Sequence, residues 1–508
     1  MKTSNTKIIG KTFQKIADIV TPTMGAKGRM AIINDEFGRP MLTDDGVTVA
    51  KMCMTLEGFE RMVAISMVEA ASNTEKAAYD GTTLTVLLTN ELYKQGMKWV
   101  RRGMHPQMAA DKLLKEVTEL RNSINTAPTT DITTKEVKDL AIITTKIPAI
   151  GDLVAKAYET AGKEMNIIIE HDRVGTVSTV EHTKGMVLDA GYFTKDLGQL
   201  CNMGDASEFN NARLVLLSEG QLTPVDIEHF FRSIPAANIK DPLVFVLSSA
   251  FNPESLRLLL DTLIQNKFTF QMVFINDANP EELFMDIAAK TNGKIQSASL
   301  GTSEYLFEHC GVADKITIEL DKTTILIESE ENNKAVDKRI RDYKKELTDK
   351  KYNLGVIREN QITRRLANLT QGITKIKVAV PTITEYMTLK LKLDDAIGAV
   401  KCACKNGIVV GGGKFLYNLS FSYKDLRTPL QAPMKTIVKN SGLKISKKDW
   451  VRCKLNYTTG INVKTGKLEP DLKKAGIIDS FDSIDEALKN AVSIAANYLR
   501  GYILIRKD

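Results

Sequence analysis

The 508-residue sequence has no long apolar run, two tryptophans, five histidines, six cysteines and no block of charge of a single sign. Each scarcity removes a class of function. No stretch approaches the roughly 20 apolar residues that a membrane helix needs. The opening MKTSNTKIIGKTFQKIADIV lacks the apolar segment and cleavage site of a signal peptide, so a cytoplasmic protein without membrane contact is expected. Cys53, Cys201, Cys310, Cys402, Cys404 and Cys453 are scattered, which fits reduced core thiols and not a disulfide framework. Cys402 and Cys404 lie two apart in a helical pattern and point in different directions, with no histidine close in sequence. A cysteine zinc site is not expected. The net charge of +7 is spread, with Lys and Arg alternating with Asp and Glu, so nucleic acid is not the expected partner.

What the chain does hold is material for two to four globular domains. Residues 1 to about 127 carry mostly helical periodicity, interrupted at RMAIINDEFGRPMLTDDG, where two apolar stretches flank an Asp-Glu-Phe-Gly turn and predict a hairpin. NTAPTTDITT, at 125–134, is rich in turn formers and marks a boundary. A short helical piece and the strand-like NIIIEH follow. From about Gly185 to Gly372, ARLVLLS, PLVFVLS, TFQMVFIND, KITIEL and KTTILIES alternate with helical patterns such as PESLRLLLDTLIQN. This predicts an α/β domain with its own sheet. A charged amphipathic helical region, the strand-like KIKVAV, a helix from about Asp394 and a final helical and hairpin region complete the chain. The simplest arrangement is nested: the α/β domain is inserted into a linker, itself inserted into a helical domain built from both chain ends.

Four stretches carry the chemistry. AAYDGTTLTVLL sets Asp80, Gly81, Thr82 and Thr83 ahead of a long amphipathic helix. They form either an ordinary N-cap or a phosphate site, because a helix start offers unpaired amides and the positive end of the dipole. TPTMGAKGR places Gly25 and Gly28 around Lys27, suited to a phosphate-tracking loop or a surface turn. LTDDGVTV supplies Asp44 and Asp45, and GIVVGGGKF puts three glycines before a helix. This last stretch fails the Walker A test, since Gly413 and Lys414 stand where Lys and Ser or Thr are required. Asp394 and Asp395 read as the start of a helix. Triphosphate hydrolysis needs a metal ligand and a carboxylate that orients or deprotonates water, and Asp45, Asp80 and Asp395 form such a set if the fold unites them.

Together, TMGAKGR, FGRPMLTDDGVTVAK, DGTTLTVLL and DDAIGAVKCACKNGIVVGGG resemble the nucleotide-site motifs of the group I chaperonins, the GroEL-type family, in order and at nearly the family's spacing. The likeness extends through KGMVLDAGYF, DIAAKTNGKI, DKTTILI and RRLANLTQGITKIKV to AGIIDS. What the resemblance implies is a mixed α and α/β protein with the three-domain chaperonin fold. A helical equatorial ATPase domain would take 1–127 and 408–508, a small intermediate hinge domain 128–184 and 373–407, and an inserted α/β apical domain 185–372. It also implies ATP and Mg²⁺, with K⁺ as a further cation. Asp80 is similar to the Mg²⁺ ligand, with Gly81, Thr82 and Thr83 on the phosphates and Thr23 and Gly25 in the first phosphate loop. Asp395 resembles the residue that activates water and Asp45 its assisting carboxylate. Gly412 falls near the ribose, and Asn462 and Asp479 resemble residues holding base and sugar. The implied partners are non-native protein clients, other copies in a homo-oligomeric ring, and a co-chaperonin lid. Client candidates in the apical region are Tyr192, Phe193, Leu197, Leu222, Val225, Phe230, Phe231, Leu256, Leu259, Leu260 and Leu263, although a leucine stripe at helical spacing also describes a core.

The departures from the pattern point to a divergent member, with a virus or a reduced genome as its source. Tyr79 stands where the motif has Gly before the Asp, a substitution expected to narrow the phosphate pocket, and Leu84 replaces a third Thr. Met1 aligns inside the family's start, which leaves the hairpin at RMAIINDEFGRPML without a partner strand in the expected ring, and the apical Pro-Gly-Phe-Gly loop is missing. Two readings follow: an ATP-driven folding chaperone, and a binding or scaffold protein that keeps the fold without useful turnover.

Overall fold

Helical spacing at both chain ends closes around one core. In the computed structural model, which describes residues 2–34, 40–124, 132–172, 175–183, 185–188, 190–192, 207–217, 224–238, 240–248, 253–275, 280–296, 306–319, 322–327, 334–348, 356–370 and 372–501, the chain forms two units. One comprises Met1–Glu159, Arg173–Thr176 and Ala379–Asp508; the other comprises Thr160–Asp172 and Val177–Val378. The segments expected as a hinge domain are therefore divided between the two.

In the first unit the helices Lys2–Val20, Gly58–Ala78, Thr82–Arg101, Pro106–Ile124 and Phe481–Arg500 bury one face each. Phe13, Ile16, Met67, Leu88, Leu92, Tyr93, Leu113, Leu120 and Leu488 meet in a single cluster. Each such side chain contributes about 1.5–3 kcal/mol through removal from water. Phe13 packs edge-on against Tyr93 and Tyr498, and Arg121 holds Asp485 through two 2.7 Å hydrogen bonds. The expected hairpin is present as Ala31–Asn34 paired antiparallel with Pro40–Thr43; its turn lies outside the described residues. Ile32 and Leu42 are exposed on it.

Two further helices of this unit bear on the sequence motifs. Thr134–Thr145 begins with a capping box in which Thr133 and Glu136 satisfy each other's amides. Ile383–Asn406 starts at Thr382, whose hydroxyl accepts from the Glu385 amide, and ends at Gly407. Asp394 and Asp395 thus lie in the middle of a helix and do not start one. The Thr382 cap lies far upstream of the Asp-Asp pair.

The second unit is built on an eight-stranded sheet, counted among the described residues. Its order is Gly185–Leu188, Thr323–Leu326, Gly311–Ile318, Ser207–Leu217, Leu243–Ser248, Phe270–Ile275 and Gly191–Tyr192, with Ile295–Gln296 also beside Ser207–Leu217. The strands Ser207–Leu217, Leu243–Ser248 and Phe270–Ile275 run parallel to one another. Leu214, Leu216, Val244 and Val246 face one core with Phe284 and Ile287. Val215, Leu217, Phe245 and Leu247 face another with Ile227, Leu259 and Leu263. Burial on both faces explains why these strands read as continuous apolar runs. Helix Pro280–Thr291 places Asp286 between Arg339, Tyr343 and Arg365 of the following helical pair. A smaller sheet sets Ile373–Ala379 between Ile167–Asp172 and Thr179–Thr183.

Candidate nucleotide site

Helix Thr82–Arg101 starts at Gly81, whose φ of +88° lies in the left-handed region. A β-carbon there would also stand 2.7 Å from the Ser483 carbonyl, so only glycine fits the turn. Below it, the Thr85 hydroxyl donates to the Gly81 carbonyl at 3.0 Å and contacts the Thr74 hydroxyl at 2.9 Å. Asn490 donates to Thr74. This buried network fixes the turn. No side chain caps the helix, and its first closing amide bond is Thr85 to Gly81. The amides ahead of it, with the hydroxyls of Thr82 and Thr83, form an anion-accepting helix start.

Three other segments meet this turn within the same unit. Thr23 holds its own loop through a bond to the Val20 carbonyl, and its hydroxyl lies 3.4 Å from that of Thr83. Gly25 adopts a φ of +89° beside Ile437, and Asn440 ties the loop down through the Thr21 and Met24 carbonyls. Gly46 backs directly onto Thr82 and Thr83, leaving no room for a side chain. This brings in Asp45, which caps the helix Gly46–Met52 by accepting from Val47 and Thr48.

The third segment is the helix Ile383–Asn406. Asp395 is half-buried on it, and its carboxyl is pushed up to about 7, first by burial and then by the negative charges of Glu75, Asp45, Asp394 and Asp80. Asp80 accepts from the Gly81 amide at 2.6 Å and is likewise raised by burial, against the pull of that amide and of Lys146. The charges of Asp45 and Asp80, both far from it in sequence, therefore act on Asp395.

Asp479 enters from the strand Ile478–Ser480, paired with Ile408–Val410. It accepts from the amides of Gly412 and Gly413, and burial followed by the charge of Asp80 pushes it up to about 7. Lys414 points the other way: fully buried, it donates to the carbonyls of Cys453 and Asn456 and to the Asn418 side chain. The rejection of a Walker A lysine agrees with this placement. Asn462 spends its side chain locally: its Oδ1 accepts from the amides of Lys464 and Thr465 within its own turn.

Two contributors were missed in the sequence. Glu75, on the helix before Tyr79, is one more carboxylate around Asp395, itself raised by burial and by Asp45. Lys146, which ends the helix Thr134–Thr145, donates to Asp44 at 2.8 Å and to the Thr23 carbonyl at 3.4 Å. Although burial opposes it, Lys146 and Lys392 hold Asp44 below its usual range. Neither Glu75 nor Lys146 sits in a recognisable motif; only the packing of distant helices reveals them. Leu84 turns into the main core.

In the second unit, Phe230, Leu259 and Leu263 are core residues, which corrects their expectation as client contacts. Phe231, Leu256 and Leu260 are partly buried against that core. Val225 remains exposed, as does its neighbour in kind Ile264. Tyr192 pairs in the sheet edge, while Phe193, Leu197 and Leu222 lie outside the described residues.

Mg²⁺ fits this donor set. Such an ion takes one or two carboxylates together with substrate phosphates, and Asp80 is a carboxylate beside free helix amides. The described residues hold no group of three or more His, Cys, Asp or Glu side chains that would cage a metal without a substrate. No described helix is long and apolar enough to cross a membrane.

A family model described as the TCP-1/cpn60 chaperonin family matches residues 16–225. Among solved structures, chaperonin gp146 from the bacteriophage EL 2 (Pseudomonas aeruginosa), crystallised in the presence of ATP-BeFx, matches in two crystal forms. Form II gives a TM-score of 0.74 at 17% identity, covering 99% of this chain and 98% of that one. Form I gives 0.69 at 18% identity with the same coverage. The resemblance read in the sequence is borne out, and the chain has the three-domain chaperonin fold.

Proposed function

From a chain of chaperonin fold, we propose an ATP-dependent molecular chaperone that binds non-native proteins and promotes their folding through ATP-driven domain movements in a homo-oligomeric ring. The observation that carries this reading is the convergence of Asp45, Asp80 and Asp395 on the uncapped start of helix Thr82–Arg101. Phosphates would otherwise be repelled from so many carboxylates, so the site calls for a divalent cation between them. Asp80 would hold Mg²⁺, which when bound neutralises phosphate charge. The amides and hydroxyls of Gly81, Thr82 and Thr83 receive phosphate oxygens, and Thr23 and Gly25 line the first loop. Asp395 takes a proton from the attacking water, a role suited to a carboxylate of raised basicity, and Asp45 assists by its charge. Gly412 and Asp479 face the ribose, and Asn462 the base. K⁺ is a candidate second cation.

The domain boundaries follow the nested order: an equatorial domain at 1–127 and 408–508, a hinge at 128–184 and 373–407, and an apical domain at 185–372. The exposed Ile32 and Leu42 of the hairpin support assembly with further copies. Val225 and Ile264 support capture of apolar client segments, with Phe231, Leu256 and Leu260 at the margin. A co-chaperonin lid, a cytoplasmic location and a viral source complete the proposal; the phage relative supports the last. Nucleotide-dependent capture and release of an unfolded protein by purified material tests it. Capture indifferent to ATP, with no phosphate release, would favour the alternative of a chaperonin-fold scaffold, which Leu84 in place of a third hydroxyl motivates.

A further inference from the structure

Tyr79 closes the helix Gly58–Ala78 in the left-handed region, φ +56°, with its amide donating to the Glu75 carbonyl at 2.7 Å. A bulky residue is poorly suited to that conformation, where glycine is usual. Gly398, in turn, sits in the middle of a helix, where glycine weakens the element. One contact accounts for both choices: a β-carbon at Gly398 would overlap the ring of Tyr79. The ring lies in the notch that the missing side chain leaves.

The notch is aimed at the site. Gly398 lies one turn beyond Asp395 on the same helix, and Tyr79 directly precedes Asp80. One turn further along, the Cys402 thiol reaches the Ala77 carbonyl at 3.6 Å. Positions 395, 398 and 402 thus form one stripe along the end of the Gly58–Ala78 helix, with the ring as its spacer. The ring packs against the neighbouring helix.

We propose that Tyr79 is a positioning residue whose ring, seated at Gly398, sets the separation of Asp395 from the Asp80 turn and thereby the rate of nucleotide hydrolysis. The inference rests on the nucleotide reading above. It makes Tyr79 a working part of the site and Gly398 its matched partner, so that the departure from the family pattern is compensated across two helices.

The test measures steady-state phosphate release and, separately, binding of a fluorescent ATP analogue with Mg²⁺, for the wild type, Tyr79→Ala, Tyr79→Phe and Gly398→Ala, with thermal unfolding to verify folding. Misplacement of a catalytic group by a fraction of its reach lowers kcat in Tyr79→Ala by at least about tenfold, while analogue affinity changes by less than about threefold. Tyr79→Phe keeps the ring and stays within about twofold of wild type in kcat. Gly398→Ala, a better helix residue, still lowers kcat because the added methyl displaces the ring. Wild-type kcat in Tyr79→Ala or in Gly398→Ala overturns the inference, as does parallel loss of kcat and affinity. A wild type that releases no more phosphate than Asp395→Ala overturns the nucleotide reading itself, and the inference with it.

Discussion

The hydroxyls of Thr23 and Thr83 lie 3.4 Å apart across 60 positions of sequence. That contact joins the first glycine loop to the helix start, and Lys146 braces it from a third element by donating to the Thr23 carbonyl and to Asp44. Lys146→Ala removes the brace and the cation that offsets Asp80. It should weaken Mg²⁺-ATP binding by about 5- to 150-fold, in line with loss of a charged hydrogen bond of roughly 1–3 kcal/mol. Titration calorimetry checks this; unchanged affinity would remove Lys146 from the site.

The carboxylate cluster gives a pH signature. The Asp395 carboxyl binds its proton more tightly folded than unfolded, so the stability it contributes is full below about 4, falls as pH rises, and is lost through about 7. In metal-free buffer, Asp395→Asn should therefore melt above the wild type at pH 8, where the wild type confines a charge among Glu75, Asp45, Asp394 and Asp80. The advantage should fade toward pH 5. A melting difference that does not change with pH would contradict the burial and crowding of this group.

Much of this arrangement was readable in the residues. The hairpin, the α/β segment between two helical ends, and the set Asp45, Asp80 and Asp395 follow from local pattern and motif. Position along the Asp395 helix was not readable, since Asp394 and Asp395 resemble a cap and the true cap, Thr382, lies in a stretch of mixed periodicity. Partners that owe their role to packing alone were also hidden: Glu75, Lys146, and the fit of Tyr79 to Gly398. Phe230, Leu259 and Leu263 show the converse limit, for helical spacing of apolar residues does not say which side of the helix meets the core.

Client capture should depend on the apolar side chains left outside. Val225 and Ile264 are 71% and 54% exposed. Changing both to Asp should reduce binding of a denatured model protein by about tenfold or more, with basal phosphate release unaltered. Binding equal to wild type in a pull-down with urea-denatured client would move the capture surface elsewhere.

The central claim is that Asp395 acts on water at a Mg²⁺-nucleotide site built at Gly81, Thr82 and Thr83. Phosphate release by the wild type and Asp395→Asn, with and without EDTA, tests it most directly. The account predicts Mg²⁺-dependent release by the wild type and a loss of about 100-fold or more in Asp395→Asn, with nucleotide still bound. Release that persists in EDTA, or an Asp395→Asn protein as fast as the wild type, would contradict it.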